Sequence, residues 1–61
     1  MQYKTIKALH LRPGNVMAWD SGYYDKVETI ESTKLGDILV RTNNDTTTMI
    51  FTNEERIKVI A

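Results

Sequence analysis

The sequence predicts an all-β domain, a small antiparallel barrel of five or six strands. Three observations carry that expectation. Val, Ile, Thr, Tyr, Phe and Trp recur in short runs of alternating character, the pattern of half-buried strands. Gly, Pro, Asn and Asp fall between the runs, where chain reversal needs them. No stretch sustains apolar residues at helical spacing beyond a single turn. Closing the sheet is the expected arrangement, because it removes the edges that would otherwise pair with other chains.

The first expected strand covers residues 3–9. Ile6 and Ala8 lie on one face, Tyr3, Thr5 and Lys7 on the other, and Leu11 follows as an anchor. Arg12-Pro13-Gly14-Asn15 reads as a type II turn, with Pro presetting φ at the second position and Gly supplying positive φ at the third. Residues 16–19 form a short strand closed by the turn Asp20-Ser21-Gly22. If Val16 and Ala18 face the core there, Met17 and Trp19 face solvent.

Residues 23–31 make the longest strand. Val27 and Ile30 are three apart, so a flat strand would send them to opposite faces. A bulge near Glu28-Thr29 is expected to return both to the core. Ser32-Thr33-Lys34-Leu35-Gly36 is a loop, and residues 37–42 a strand with Ile38 and Val40 opposite Leu39 and Arg41. Asn43-Asn44-Asp45-Thr46 is a polar hairpin tip, and residues 47–52 return with Met49 and Phe51 opposed to Thr48 and Ile50. Asn53-Glu54-Glu55 is expected to form one 3₁₀ turn capped by Asn53, before a last strand over residues 56–60 with Ile57 and Val59 inward. The expected core is Ile6, Val16, Val27, Ile30, Ile38, Val40, Phe51, Ile57 and Val59.

Sixty-one residues leave room for one domain, residues 1–61. At this length the cost of ordering the chain nearly cancels the gain from burial, so a copy of itself or another partner is a candidate source of stability. Eight basic and eight acidic residues cancel, which argues against long stretches of duplex DNA as a partner. With no cysteine and one histidine, neither a disulfide framework nor a zinc module is available. The absence of a secretory signal pattern or a run of about 20 apolar residues points to a cytoplasmic protein with no membrane contact. The sequon Asn44-Asp45-Thr46 is accordingly read as coincidence.

The opening Leu11-Arg12-Pro13-Gly14-Asn15-Val16 resembles the L-x-P-G-D-x-I/V entry of small Src-homology-three-like barrels, with Asn15 standing where the pattern has Asp. The downstream order resembles it too: a Gly turn, a strand with central Val27, a loop, a hairpin, a polar one-turn helix, and the closing Arg56-Ile57-Lys58-Val59. Short stand-alone chains of this type resemble bacteriophage-encoded accessory proteins. The resemblance implies no catalytic residue, because such barrels share none.

The residues themselves agree with a non-enzyme. His10 lacks an assembled nucleophile and orienting acid, and its ordinary reading is a surface position before the Pro13-Gly14 turn. Glu54-Glu55 and Glu28/Glu31 are carboxylate pairs, but negative charge at residues 54 and 55 is what the start of a 3₁₀ turn favours. The glycines are isolated at 14, 22 and 36, so no phosphate loop forms. Asp37, Asn43, Asn44 and Asp45 are oxygen donors without calcium-loop spacing. No cofactor or metal is expected.

Binding is the remaining activity. Trp19, Tyr23 and Tyr24 flank one turn, and Met17 joins them if it faces outward; rigid aromatic area of this kind is typical of protein-docking hot spots. The preferred expectation is a protein-binding module using Trp19, Tyr23, Tyr24 and Met17. The alternative is a weak nucleic-acid binder. Lys4, Lys7 and Arg12 make the first 19 residues basic with no acid, beside Tyr3 and Trp19, whereas the remaining five bases and eight acids sum to −3. A third reading is a self-assembling subunit.

Overall fold

The structure, a computed structural model, describes residues 2–43 and 48–61. Among them, six strands form one antiparallel sheet with one 3₁₀ turn. The strands are β1 (Tyr3–Lys7), β2 (Val16–Ala18), β3 (Tyr24–Ser32), β4 (Asp37–Thr42), β5 (Met49–Thr52) and β6 (Arg56–Ile60), and the 3₁₀ turn is Ala8–His10. The strand order is β1-β6-β2-β3-β4-β5. The all-β, antiparallel expectation holds, but the sheet is not closed: β1 and β5 are its edges and do not pair.

The sheet nevertheless curls tightly. Val59 and Ile57 on β6, Met17 on β2, Val27 on β3, Ile38 and Val40 on β4 and Phe51 on β5 share one core. Strands repeat about every 4.8 Å, so a flat sheet would hold β6 and β5 nearly 20 Å apart. Curling brings their inner faces together, and the ring centroids of Trp19 and Phe51 come within 6.5 Å. The expected core residues Val27, Ile38, Val40, Phe51, Ile57 and Val59 are buried. Ile6 and Ile30 are half-buried against that core, as are Met49 and Trp19.

The bulge lies where the spacing of Val27 and Ile30 demanded it. The register between β3 and β4 shifts between Val27 and Thr29. Val27 pairs with Thr42 and Ile30 with Val40, so the extra residue returns both apolar side chains to one face.

The turn before β2 is also as read. Asn15 N donates to Arg12 O at 3.1 Å, and Gly14 at the third position has φ +96°. Asn15 Oδ1 accepts the Arg12 N–H at 2.7 Å. An Asp at this position would offer the same acceptor. Gly14 N then donates to Val27 O, and Val27 N to Asn15 O, tying the turn to β3.

Strand ends shift by a residue or so at β2, β3 and β5, and one contact accounts for the two larger differences. The first strand stops at Lys7 rather than residue 9, and the 3₁₀ turn sits at Ala8–His10 rather than at residues 53–55. Ala8 N donates to Glu55 O at 2.7 Å and Leu9 N to Asn53 O at 3.3 Å. A 3₁₀ segment at residues 53–55 would need the Arg56 N–H to turn back to Asn53 O, but Arg56 already begins β6 in register with Lys7. Only the single bond from Glu55 N to Thr52 O remains, a simple turn. Ala8 and Leu11 are buried where the two segments meet the core.

A third difference concerns β2. Met17, expected outside, is completely buried, and Val16, expected inside, is only half-buried. Met17 pairs with Val59 on β6, which fixes it on the core face. Alternation places Trp19 on that face with it, so the core takes the two larger side chains of this strand. The hairpin tip, apart from Asn43, and the start of the expected strand at Thr47 lie outside the described residues.

Candidate functional site

Reversing the phase of β2 gives the sheet a second, outer face of unusual composition. Pairing of Tyr3 with Ile60, Thr5 with Lys58 and Lys7 with Arg56 puts these residues opposite the core. Val16 pairs with Lys26 and Ala18 with Tyr24 on the same side. Continuing the antiparallel register from Met17 and Val59 sets Ala18 beside Lys58. Tyr3 and Tyr24 therefore project from the two outer members of a four-strand array, β1-β6-β2-β3.

Their hydroxyls meet at 2.9 Å. The phenols thus form a strap across β6 and β2. Ala18, on this face and outside the core cluster, is only 6% exposed. A larger side chain at position 18 would obstruct the strap, so the small residue and the aromatic pair suit each other. Each Tyr remains 43% exposed. The Lys58 ammonium lies 5.1 Å from the centroid of the Tyr3 ring and 3.5 Å from the Asp20 carboxylate. The hydrogen bond to Tyr3 raises the Tyr24 pKa above the ordinary phenol value of 10.0. The Tyr3 charge and desolvation push the same way, and Lys58 opposes them.

The expected protein-binding residues divide between two faces. Met17 is core and presents no surface. Trp19 is half-buried against Phe51, and its Nε1–H donates to Asp25 Oδ2 at 2.7 Å. Tyr23, 71% exposed, sits in the turn whose Trp19 N–H donates to Tyr23 O. Tyr24 joins Tyr3 on the outer face. An aromatic surface is present on the outer face, but it is built on Tyr3 and Tyr24 rather than on a Met-Trp pair, with Tyr23 exposed in the adjoining turn.

The expected nucleic-acid residues are not brought together. Lys4 pairs with core-facing Val59, whereas Lys7 is on the outer face and 3.1 Å from Glu54. Arg12 Nη1 donates to Leu11 O in the turn. The outer face instead collects Lys7, Lys26, Arg56 and Lys58. Their alternation within each strand was readable in the sequence. That β6 lies between β1 and β2 was not, and this order is what sets Lys7 beside Arg56 and brings Lys58 and Lys26 onto the same array.

The remaining polar residues are dispersed. His10 is exposed at the end of the 3₁₀ turn, and Glu54 and Glu55 are exposed in the turn after β5. Among the described residues no three of His, Cys, Asp or Glu cluster as metal ligands. Asn44 and Asp45, two of the candidate oxygen donors, lie outside the described residues, as does the sequon. No described helix is long and apolar enough to cross a membrane. Compared with protein-family models, curated proteins and solved structures, the chain matches none.

Proposed function

We propose that the chain is a non-enzymatic interaction module that docks on another protein, and that it works in the cytoplasm. The observation that carries this reading is the outer-face strap. Tyr3 and Tyr24 keep 43% of their surface exposed, beside a Tyr23 that is more exposed still. Aromatic rings held in place by a hydrogen bond and a neighbouring strand offer contact area at small entropic cost. The curled sheet and the Pro13-Gly14 turn support the resemblance to Src-homology-three-like barrels. On that resemblance the chain is read as a phage accessory factor acting on a host or phage protein.

A second reading, weak binding of nucleic acid, is favoured by the cations gathered on the same face. The test is affinity capture from the native cell with and without nuclease, using the parent and a Tyr23→Ala/Tyr24→Ala variant with a verified melt. A protein retained after nuclease and lost with the variant supports docking on protein. Capture that disappears with nuclease transfers the function to nucleic acid.

A further inference from the structure

We propose that the outer face of β1, β6, β2 and the first half of β3 docks an extended acidic segment of the partner, with Lys26, Lys58 and Arg56 pairing its carboxylates around the Tyr3–Tyr24 strap. This deepens the protein-docking reading and rests on it.

The argument is charge complementarity. On this face the strand positions of β1, β6, β2 and the first half of β3 include Lys7, Lys26, Arg56 and Lys58 and no carboxylate. Since the whole chain is neutral, the positive charge here is balanced elsewhere. Glu28, Glu31 and Asp37 lie along the later part of β3 and the start of β4. Glu31 and Asp37 alternate with core-facing Ile30 and Ile38, so the acids lie at the far end of the same outer face, and the segregation steers an anionic partner toward the β1-β6-β2 end. The Tyr rings supply apolar contact between the cations, which suits a chain mixing acidic and apolar residues.

Two features favour a peptide over a nucleic acid. Lys58 stands over the Tyr3 ring, so a base stacking there would displace the cation meant to meet its phosphate. Glu54 and Asp20 flank the patch as partners of Lys7 and Lys58. A backbone charged at every nucleotide would run against them, whereas a peptide with spaced carboxylates avoids them.

The test is to pan a random displayed peptide library on the immobilised full chain and measure the enriched peptides against a Lys26→Glu/Lys58→Glu variant. A Lys26→Gln/Lys58→Gln variant replaces it if the melt of the first is altered. The expected result is enrichment in Asp and Glu and an affinity weakened by roughly tenfold or more on the charge change. Peptides without an acidic excess, or with affinity unchanged by the variant, overturn the acidic segment and leave protein docking standing. No enrichment at all, with or without binding of oligothymidylate, overturns both readings, and oligothymidylate binding assigns the face to nucleic acid.

Discussion

Tyr3 and Tyr24 join their hydroxyls at 2.9 Å across the two strands, β6 and β2, that separate them in the sheet. The contact links the edge strand to the fourth strand of the array and gives Ala18 cover on the face opposite the core. It exists because β2 turns Met17 and Trp19 inward, leaving its smaller residues beneath the phenols.

This pair makes stability depend on pH in the alkaline range. The folded chain holds the Tyr24 proton above 10.0, where the unfolded chain releases it. The contribution is complete below pH 10.0 and is lost as pH rises through the folded value. Titration followed by phenolate absorbance should show one late-ionising Tyr, returned toward the ordinary value by Tyr3→Phe. Ordinary ionisation of Tyr24 in the parent would remove the bond from the account.

Phe51→Ala should cost about 3–5 kcal/mol, a large part of what so small a domain possesses. Phe51 is 8% exposed and stacks on Trp19, so the truncation opens a cavity and strips one side of the indole. Urea midpoints of parent and variant measure the loss. A midpoint close to the parent's would contradict the inward phase of β5.

At Gly14 the cost of a side chain lies in the backbone. Nothing stands within 4 Å of where a Cβ would be, yet φ is +96°. Gly14→Ala and Gly14→Val should therefore each cost more than about 1 kcal/mol. A nearly harmless Gly14→Ala beside a damaging Gly14→Val would mean that crowding, not φ, sets the penalty.

Thr42 offers the opposite case. It is buried opposite Val27, and its hydroxyl makes no hydrogen bond among the described residues. Thr42→Val keeps the shape and removes a desolvated polar group, so it should stabilise by about 1 kcal/mol. Thermal melts decide it, and a clearly lower melting temperature would mean that the hydroxyl has a partner.

Local chemistry was legible in the sequence wherever neighbours along the chain settle it. Pro13, Gly14 and Asn15 define their turn, and the spacing of Val27 and Ile30 required a bulge between them. Features set by distant segments were not legible. The 3₁₀ turn depends on Ala8 and Leu9 reaching the carbonyls of Asn53 and Glu55. The phase of β2 was ambiguous because both alternating sets, Val16/Ala18 and Met17/Trp19, are apolar. Pairing of Met17 with Val59 resolves it, and with it the identity of the exposed aromatic face.

The central claim is that this tyrosine face is the docking surface. Its most direct test is a backbone amide chemical-shift map of the labelled chain as its captured protein partner is added. The account predicts the largest changes at Tyr3, Ala18, Tyr23, Tyr24 and Lys58, with little change along β4 and β5. Changes centred instead on the cross-strand pair Leu39 and Ile50, on the far half of the sheet, would contradict it.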